Sequence, residues 1–247
     1  MKKNIHFDVF NNEEAKDILK CFHESEFYVS KGKRNTLKNI NYKGKAITIK
    51  AFKKPNFINS FIYSYLRASK AKRSFEFAKK LSDLEIGTPK PLGYIEFKNF
   101  WGLTKSYYLC EYLSCDLTFR DLDISTDPEH ITILKAFTHF TYELHEKGVL
   151  FLDHSPGNTL IKNINGDYYF YLVDLNRMRF ETLDLKTRIS NFSRLTEKKE
   201  VIQIMSEEYA NLSHNDYNHI FEMMWNETLA FRSKFNRKKR IKAKFKF

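Results

Sequence analysis

The sequence predicts an α+β fold in two lobes, a small β-rich N-terminal lobe and a larger helical C-terminal lobe. Three observations carry this expectation. Short alternating or aromatic runs bounded by turn signals occupy the first 113 residues. Apolar residues at three- and four-residue steps mark 128–147 and return after residue 200. Between these helical stretches stands a hairpin pattern, two strand-like runs joined by Asn165-Gly166. The expected division is one domain, with 1–113 as the small lobe and its exit strand, 114–230 as the large lobe, and 231–247 as a basic tail.

The elements follow in order. After a polar N-terminal stretch, "KGKAITIKAFK" (43–53) alternates and is β-branched, a strand entered through a glycine turn, with a hairpin through "NINYKG". The stretch from Ser60 to Gly93 places Phe61, Tyr65, Phe75, Ala78 and Leu81 at helical intervals, and "IGTPKP" stops that helix. "YIEF" and "SYYLCEYL" read as two strands. Ile131, Leu134, Phe137, Thr141 and Leu144 mark one face of a long helix that ends at Lys147-Gly148. "TLIK" and "YYFYLVD" are the hairpin strands, and "EVIQIMSEEYANL" and "YNHIFEMMWNETLAFRSKF" are helices.

Composition narrows the partners. Of 247 residues, 42% are hydrophobic and 16% aromatic, enough for a packed core. Lys and Arg number 42 against 30 Asp and Glu, and the net charge of +12 favours phosphate, nucleic acid or an acidic membrane surface. Cys21, Cys110 and Cys115 show no C-x-x-C spacing, so reduced, cytosolic thiols are expected in place of disulfides or zinc. No apolar run approaches the roughly 20 residues of a membrane span. "MKKNIHFDVFNNEEAK" lacks the apolar middle of a secretory leader, which places the chain on the cytosolic side. The stretch 231–247 has no acid and spaces phenylalanines among Lys and Arg; it reads either as a solvated tail or as an attachment to anionic lipid headgroups.

One stretch, "LDHSPGNTLIKNINGDYYFYLVDLNRM" (152–178), carries chemistry. A tight hairpin brings its ends together, so the loop with Asp153 and Asn158 is expected beside Asp174, which leaves the second strand. Two carboxylates and an amide oxygen suit magnesium, a hard cation usually held by one or two carboxylates and substrate phosphates, and suit zinc poorly. An Asp followed five positions later by Asn, then a hairpin, then a metal-binding Asp is the arrangement of the protein-kinase fold. That fold also requires a strand lysine for the nucleotide phosphates, matched by Lys50 in "ITIK", and a helix glutamate to hold it, matched by Glu76 in "RSFEFAKKL". Each residue alone has an ordinary reading: Lys50 and Glu76 as surface charges, Asp153 and Asn158 as turn caps. Their shared order and context favour the functional reading.

"GKRNTLK", "ITIKAFKKP", "RASKAKRSFEFAKKL", "IGTPKPLGYIE", "LDHSPGN" and "LVDLNRMRF" together resemble the lipopolysaccharide kinase family, the Kdo and heptose kinases of Gram-negative bacteria, and among them the compact Bacteroidetes-type members. The likeness spans about residues 28–195. It implies a two-lobed protein-kinase-like fold and transfer of the γ-phosphate of ATP to a sugar hydroxyl, Kdo or heptose, of the lipopolysaccharide inner core. The work would be done at the cytosolic face of the inner membrane. By the same resemblance, Lys50 contacts the α and β phosphates with Glu76 as partner, and Asp153 is the catalytic base. Asn158 and Asp174 hold Mg2+, and the backbone from Glu111 to Leu113 meets adenine. Implied partners are ATP, lipopolysaccharide core or lipid A precursor, and the anionic inner-membrane surface.

Two departures stand out. The kinase histidine two positions before the base is Phe151 here, with His154 on the other side of Asp153. The nucleotide-covering stretch "SKGKRNTLKN" offers only Gly32, with Lys33 and Arg34 supplying charge in place of backbone amides. These departures keep open a catalytically silent pseudokinase that binds anionic glycolipid or a partner protein. "DHSPGN" also resembles the loop of aminoglycoside and choline kinases, so another small molecule or a protein is an alternative acceptor. Charge alone would suit a nucleic-acid binder, but the sequence shows no recognisable nucleic-acid module.

Overall fold

The computed structural model describes residues 2–7, 10–26, 28–31, 35–54 and 67–244. Phe61 and Tyr65 of the expected helical face, and Gly32, Lys33 and Arg34 of the expected nucleotide loop, lie outside them. The chain divides into two compact units, Met1–Ser114 with Asp174–Arg177, and Cys115–Val173 with Met178–Phe247.

The first unit is a six-stranded antiparallel sheet with helices. Its strands are β1 (Lys2–Phe7), β2 (Tyr28–Lys31), β3 (Asn35–Tyr42), β4 (Lys45–Phe52), β5 (Pro91–Asn99) and β6 (Gly102–Glu111), and their order across the sheet is β1-β5-β6-β4-β3-β2. Lys43 and Gly44 close the β3–β4 hairpin with φ of 50° and 79°, the left-handed pair that a tight two-residue turn demands.

The period of two in β4 sorts its side chains onto two faces. Ile47 and Ile49 are fully buried with Ile18, Ile95 and Leu109, packed under helix α1 (Asn12–Glu24). Burying each such side chain contributes about 2 kcal/mol. Lys50 falls on the opposite face, in register with Tyr108 of β6, which in turn pairs with Tyr94 of β5. Helix α2 (Lys70–Asp83) covers that face, and its Phe75 meets the rings of Tyr94 and His6.

The N-terminal stretch, expected only as polar, forms β1 and α1. Asn11 and Glu14 make a reciprocal capping box, and Ala15, Ile18, Leu19 and Phe22 recur at three- and four-residue steps to bury one face. β1 gains its strand conformation from six-residue pairing with β5, a contact between distant segments that no local pattern announces.

The second unit is mostly helical. In chain order it holds β7 (Leu117–Thr118), a 3-10 turn (Phe119–Asp121), α3 (Glu129–Glu146), β8 (Val149–Phe151), β9 (Thr159–Ile164) and β10 (Asp167–Leu172). There follow β11 (Met178–Phe180), α4 (Leu185–Ser190), a second 3-10 turn (Asn191–Arg194), α5 (Lys199–Ser213) and α6 (Tyr217–Lys244). β9 and β10 form the expected hairpin, turned at Asn165 (φ 56°) and Gly166 (φ 94°), and β8 pairs with β11.

Leu134 and Phe137 of α3, Met205 and Tyr209 of α5, and Ile220 and Met224 of α6 are fully buried together. Ile131, expected on the buried face of α3, is 36% exposed, and Ile133 is buried instead. Leu134, Phe137, Thr141 and Leu144 set the centre of the buried arc, and Ile131 falls at its edge in the first turn. Residues 231–244, expected as a tail, continue α6 without a break and are largely exposed.

Candidate active site

In the first unit, Lys50 and Asp174 meet. Lys50 Nζ lies 2.8 Å from Asp174 Oδ1, and both side chains are mostly shielded from solvent. Alternation puts Lys50 on the face away from Ile49, and Phe52, two residues on, shares that face with its ring 5.7 Å from the ammonium. Asp174 adopts a left-handed φ of 61°, and Asn176 Nδ2 donates to its Oδ1 at 2.6 Å. Asp and Asn tolerate this backbone region better than other side chains, yet it remains sparsely populated, and such conformations gather at functional sites.

The structure gives Lys50 a different partner from the one expected. Glu76 is exposed and stands 3.6 Å from Lys72 Nζ, one helical turn before it. The phase of α2 explains this: Phe75, Ala78 and Leu81 are the residues turned into the core, and Glu76 follows Phe75 on the outer side of that arc.

In the second unit, the loop from Asp153 to Asn158 is braced at several points. Asn158 Nδ2 donates to the Asp153 carbonyl at 2.8 Å, and Val173 N, just before Asp174 in the chain, donates to the Asn158 carbonyl at 2.9 Å. The first bond occupies the amide NH2 of Asn158 and leaves its Oδ1 as the group able to face a cation. Asp153 Oδ1 accepts from Arg194 Nη2 at 2.7 Å, and Arg194 Nη1 donates to the Leu152 carbonyl at 2.9 Å.

Aromatic packing supports the loop from below. Phe151 and His154 are fully buried, and His154 packs against the rings of Phe137, Phe151 and Phe192. The Phe151 carbonyl accepts from Asn191 Nδ2 at 2.9 Å, and Asn191 Oδ1 lies 3.2 Å from His145 Nε2. Burial pushes both imidazoles down, His145 to about 4 and His154 to about 3, so both are neutral at physiological pH. His154 thus shares the apolar packing under the loop with Phe151, which stands where a kinase carries its histidine.

The exit strand of the sheet is also defined. Glu111 N donates to the Lys90 carbonyl, Tyr112 N donates to the Ala46 carbonyl, and Leu113 lies half-buried beyond them. Beside the strand end, burial pushes the Cys110 thiol up to about 12, which makes it inert as a nucleophile. Among the described residues, no three His, Cys, Asp or Glu side chains gather to hold one metal ion. The Asp174 carboxylate of the first unit and the Asn158 amide oxygen of the second are each hard oxygen donors, of the type that suits magnesium completed by substrate phosphates and does not suit zinc.

Three residues with defined roles in this geometry escaped the sequence reading. Arg194 reaches Asp153 from a 3-10 turn far along the chain, Asn176 braces Asp174, and Arg120 lies against the loop glycine, Gly157. No motif spacing links Arg194 or Arg120 to the loop. Asn176 alone carried a signal, as an amide two residues after a strand-ending acid.

No family model matches the chain, and no curated protein matches it. Its fold matches a solved structure of WaaP in complex with acyl carrier protein, with a TM-score of 0.61 and 12% identity, over 96% of this chain and 99% of that one. The chain therefore has the kinase-like WaaP fold, with a β-sheet N-terminal region and a helical C-terminal region.

Proposed function

We propose that the protein is an ATP-dependent phosphotransferase that phosphorylates a sugar hydroxyl, Kdo or heptose, of the lipopolysaccharide inner core. The observation that carries this reading is the pairing of a strand lysine, Lys50, with the acid that ends the hairpin, Asp174, in a chain of kinase-like fold. An ammonium and a carboxylate held 2.8 Å apart are the groups that nucleotide phosphates and their cation require.

In this reading Lys50 binds the α and β phosphates of ATP, Gly32, Lys33 and Arg34, which lie outside the described residues, are the remaining candidates for phosphate binding, and the backbone from Glu111 to Leu113 meets adenine. Asp174 and Asn158 would be the ligands of Mg2+, and the ion would neutralise phosphate charge. The acceptor oxygen forms a bond to the γ-phosphorus as the bond to the bridging oxygen breaks, and ADP leaves with that electron pair. The proton of the acceptor hydroxyl passes to the Asp153 carboxylate. Arg194 fixes that carboxylate in place and Asn158 fixes its backbone, so the base is oriented before the acceptor arrives.

Partners follow from charge. The exposed, acid-free end of α6 suits the anionic cytosolic face of the inner membrane, and none of the described helices is long and apolar enough to cross a bilayer. Acyl carrier protein, the partner in the WaaP structure, is a second candidate for a basic surface of this kind.

The test pairs wild type with Asp174→Ala. Thermal shift is measured with Mg-ATP, followed by labelled phosphate transfer to lipopolysaccharide from a kinase-deficient strain. Stabilisation and transfer by wild type, both lost in the variant, support the reading. Absence of both from wild type would replace it with the silent, glycolipid-binding alternative.

A further inference from the structure

The second unit contains a cavity of about 250 Å3. Its floor is apolar, with Phe119, Leu134, Leu195 and Val201 all buried. Its rim is charged, with Arg120 and Lys198 exposed and the Asp123 carboxylate between the 3-10 turn and α3. Sites for drug-sized ligands run from about 300 to 1,000 Å3, so a cavity of this size takes one sugar ring better than a nucleotide.

The cavity adjoins the Asp153 loop along two chain segments. Pro156, in its lining, stands three residues after Asp153. Leu195 and Thr196, also in the lining, directly follow Arg194, whose guanidinium holds Asp153 Oδ1 at 2.7 Å. With about 3.8 Å between consecutive Cα atoms, both segments tie the cavity wall to the carboxylate at short range.

Arg120 is built into this wall. Its backbone N donates to the Pro156 carbonyl at 2.9 Å, and its Nη2 would lie 2.9 Å from a Cβ placed on Gly157. A Cβ at 157 would shift the tip of the Arg120 side chain from this position. Arg120 is exposed, and its charge, which also acts on the neighbouring Asp121 carboxyl, is accessible to a ligand. Lys198 is held 3.0 Å from Asp123, whose carboxylate also accepts from Ser125 Oγ at 2.8 Å. A ligand matching these groups needs an anionic substituent for Arg120 and Lys198, hydroxyls for Asp123 and Thr196, and an apolar C–H face for the floor.

We infer that this cavity is the acceptor subsite and that it takes a single anionic sugar unit, carrying a carboxylate or a phosphate, with a hydroxyl directed to the Asp153 loop. The inference deepens the phosphotransferase reading and rests on it for the fate of that hydroxyl, but binding itself requires no nucleotide. Inorganic phosphate would satisfy the cations and leave the floor and Asp123 unused. A neutral sugar would do the reverse.

The experiment is saturation-transfer NMR on the full chain without ATP, using D-glucuronate and D-glucose 6-phosphate as probes, with D-glucose and inorganic phosphate as controls. Wild type is expected to bind both anionic sugars. Arg120→Ala and Lys198→Ala, both at exposed positions, are expected to weaken them at least tenfold, and Thr196→Trp to block them by filling the cavity. No binding of the anionic sugars, or binding unchanged in all three variants, would overturn the assignment. Inorganic phosphate binding as tightly as the sugars would also overturn it, leaving an anion site only. Because no nucleotide is present, these failures leave the kinase reading standing, whereas absence of Mg-ATP stabilisation in wild type would fail that reading alone.

Discussion

Arg194 Nη2 lies 2.7 Å from Asp153 Oδ1 and its Nη1 donates to the Leu152 carbonyl, so one guanidinium fixes both the side chain and the backbone of the proposed base. A base held in this way is pre-oriented, and misplacement by about 1 Å can cost on the order of 100-fold in rate. Arg194→Ala is expected to lower kcat by about 10- to 100-fold while Mg-ATP stabilisation stays at the wild-type value. Arg194→Lys should recover only part of the loss, because an ammonium cannot reproduce the two-pronged geometry. Full activity in Arg194→Ala would remove the residue from the mechanism.

Asp174 separates backbone strain from chemistry. At φ 61° Asn is nearly as well tolerated as Asp, whereas Ala is not. Asp174→Asn is expected to melt close to wild type and to lose Mg-dependent ATP stabilisation, and Asp174→Ala should lose a further ~1 kcal/mol of folding stability. Urea unfolding of the two variants checks the order, and equal stability would mean that the backbone relaxes.

Stability should fall with acid through the two buried histidines. Their folded-state values, about 4 for His145 and about 3 for His154, lie below the unfolded value of 6.5, so the unfolded chain binds the extra protons. The stabilisation is complete above pH 6.5 and is lost as pH drops toward those folded values, by about 2 kcal/mol per histidine between pH 6.5 and 5. Chemical denaturation at pH 7.5, 6 and 5 measures the slope. His154→Phe, which keeps the aromatic packing against Phe137 and Phe192, should make that slope shallower. An unchanged slope would show that His154 stays uncharged in both states.

The end of α6 is expected to contribute to surface attachment and not to folding. Residues 234–247 contain eight Lys and Arg and no acid, and the described part of this segment is exposed. Each cation near an anionic bilayer is worth about 1 kcal/mol, so truncation after Ser233 should weaken binding to phosphatidylserine vesicles by more than 100-fold at low salt. The melting temperature should hold within a few degrees. Vesicle sedimentation against ionic strength distinguishes this from a solvated helix end, for which truncation would change nothing.

Much of the fold was legible because its signals are local. The alternation of Ile47, Ile49 and Lys50, the stop at "IGTPKP" and the Asn165-Gly166 turn each depend on neighbours within a few residues, and each element stands where those signals put it. The Asn11…Glu14 capping box was also present in the sequence and would have located α1. β1 had no comparable signal, because its pairing with β5 joins segments about 90 residues apart. The site followed the same division. The five-residue interval from Asp153 to Asn158 could be read directly, but the partner of Lys50 could not.

The sequence by itself determined the order of the main elements after α1, the face on which Lys50 stands, and the spacing of Asp153, Asn158 and Asp174, because periods of 2 and 3.6 and turn stereochemistry are properties of short segments. Tertiary structure alone decided that Lys50 meets Asp174 while Glu76 turns to Lys72, that Arg194 clamps Asp153, and that Arg120 and Lys198 rim one cavity. The physical reason is that each of these pairings, apart from Glu76 with its helix neighbour, depends on helix phase and on contacts between residues far apart in the chain, which side-chain packing selects and local pattern does not encode.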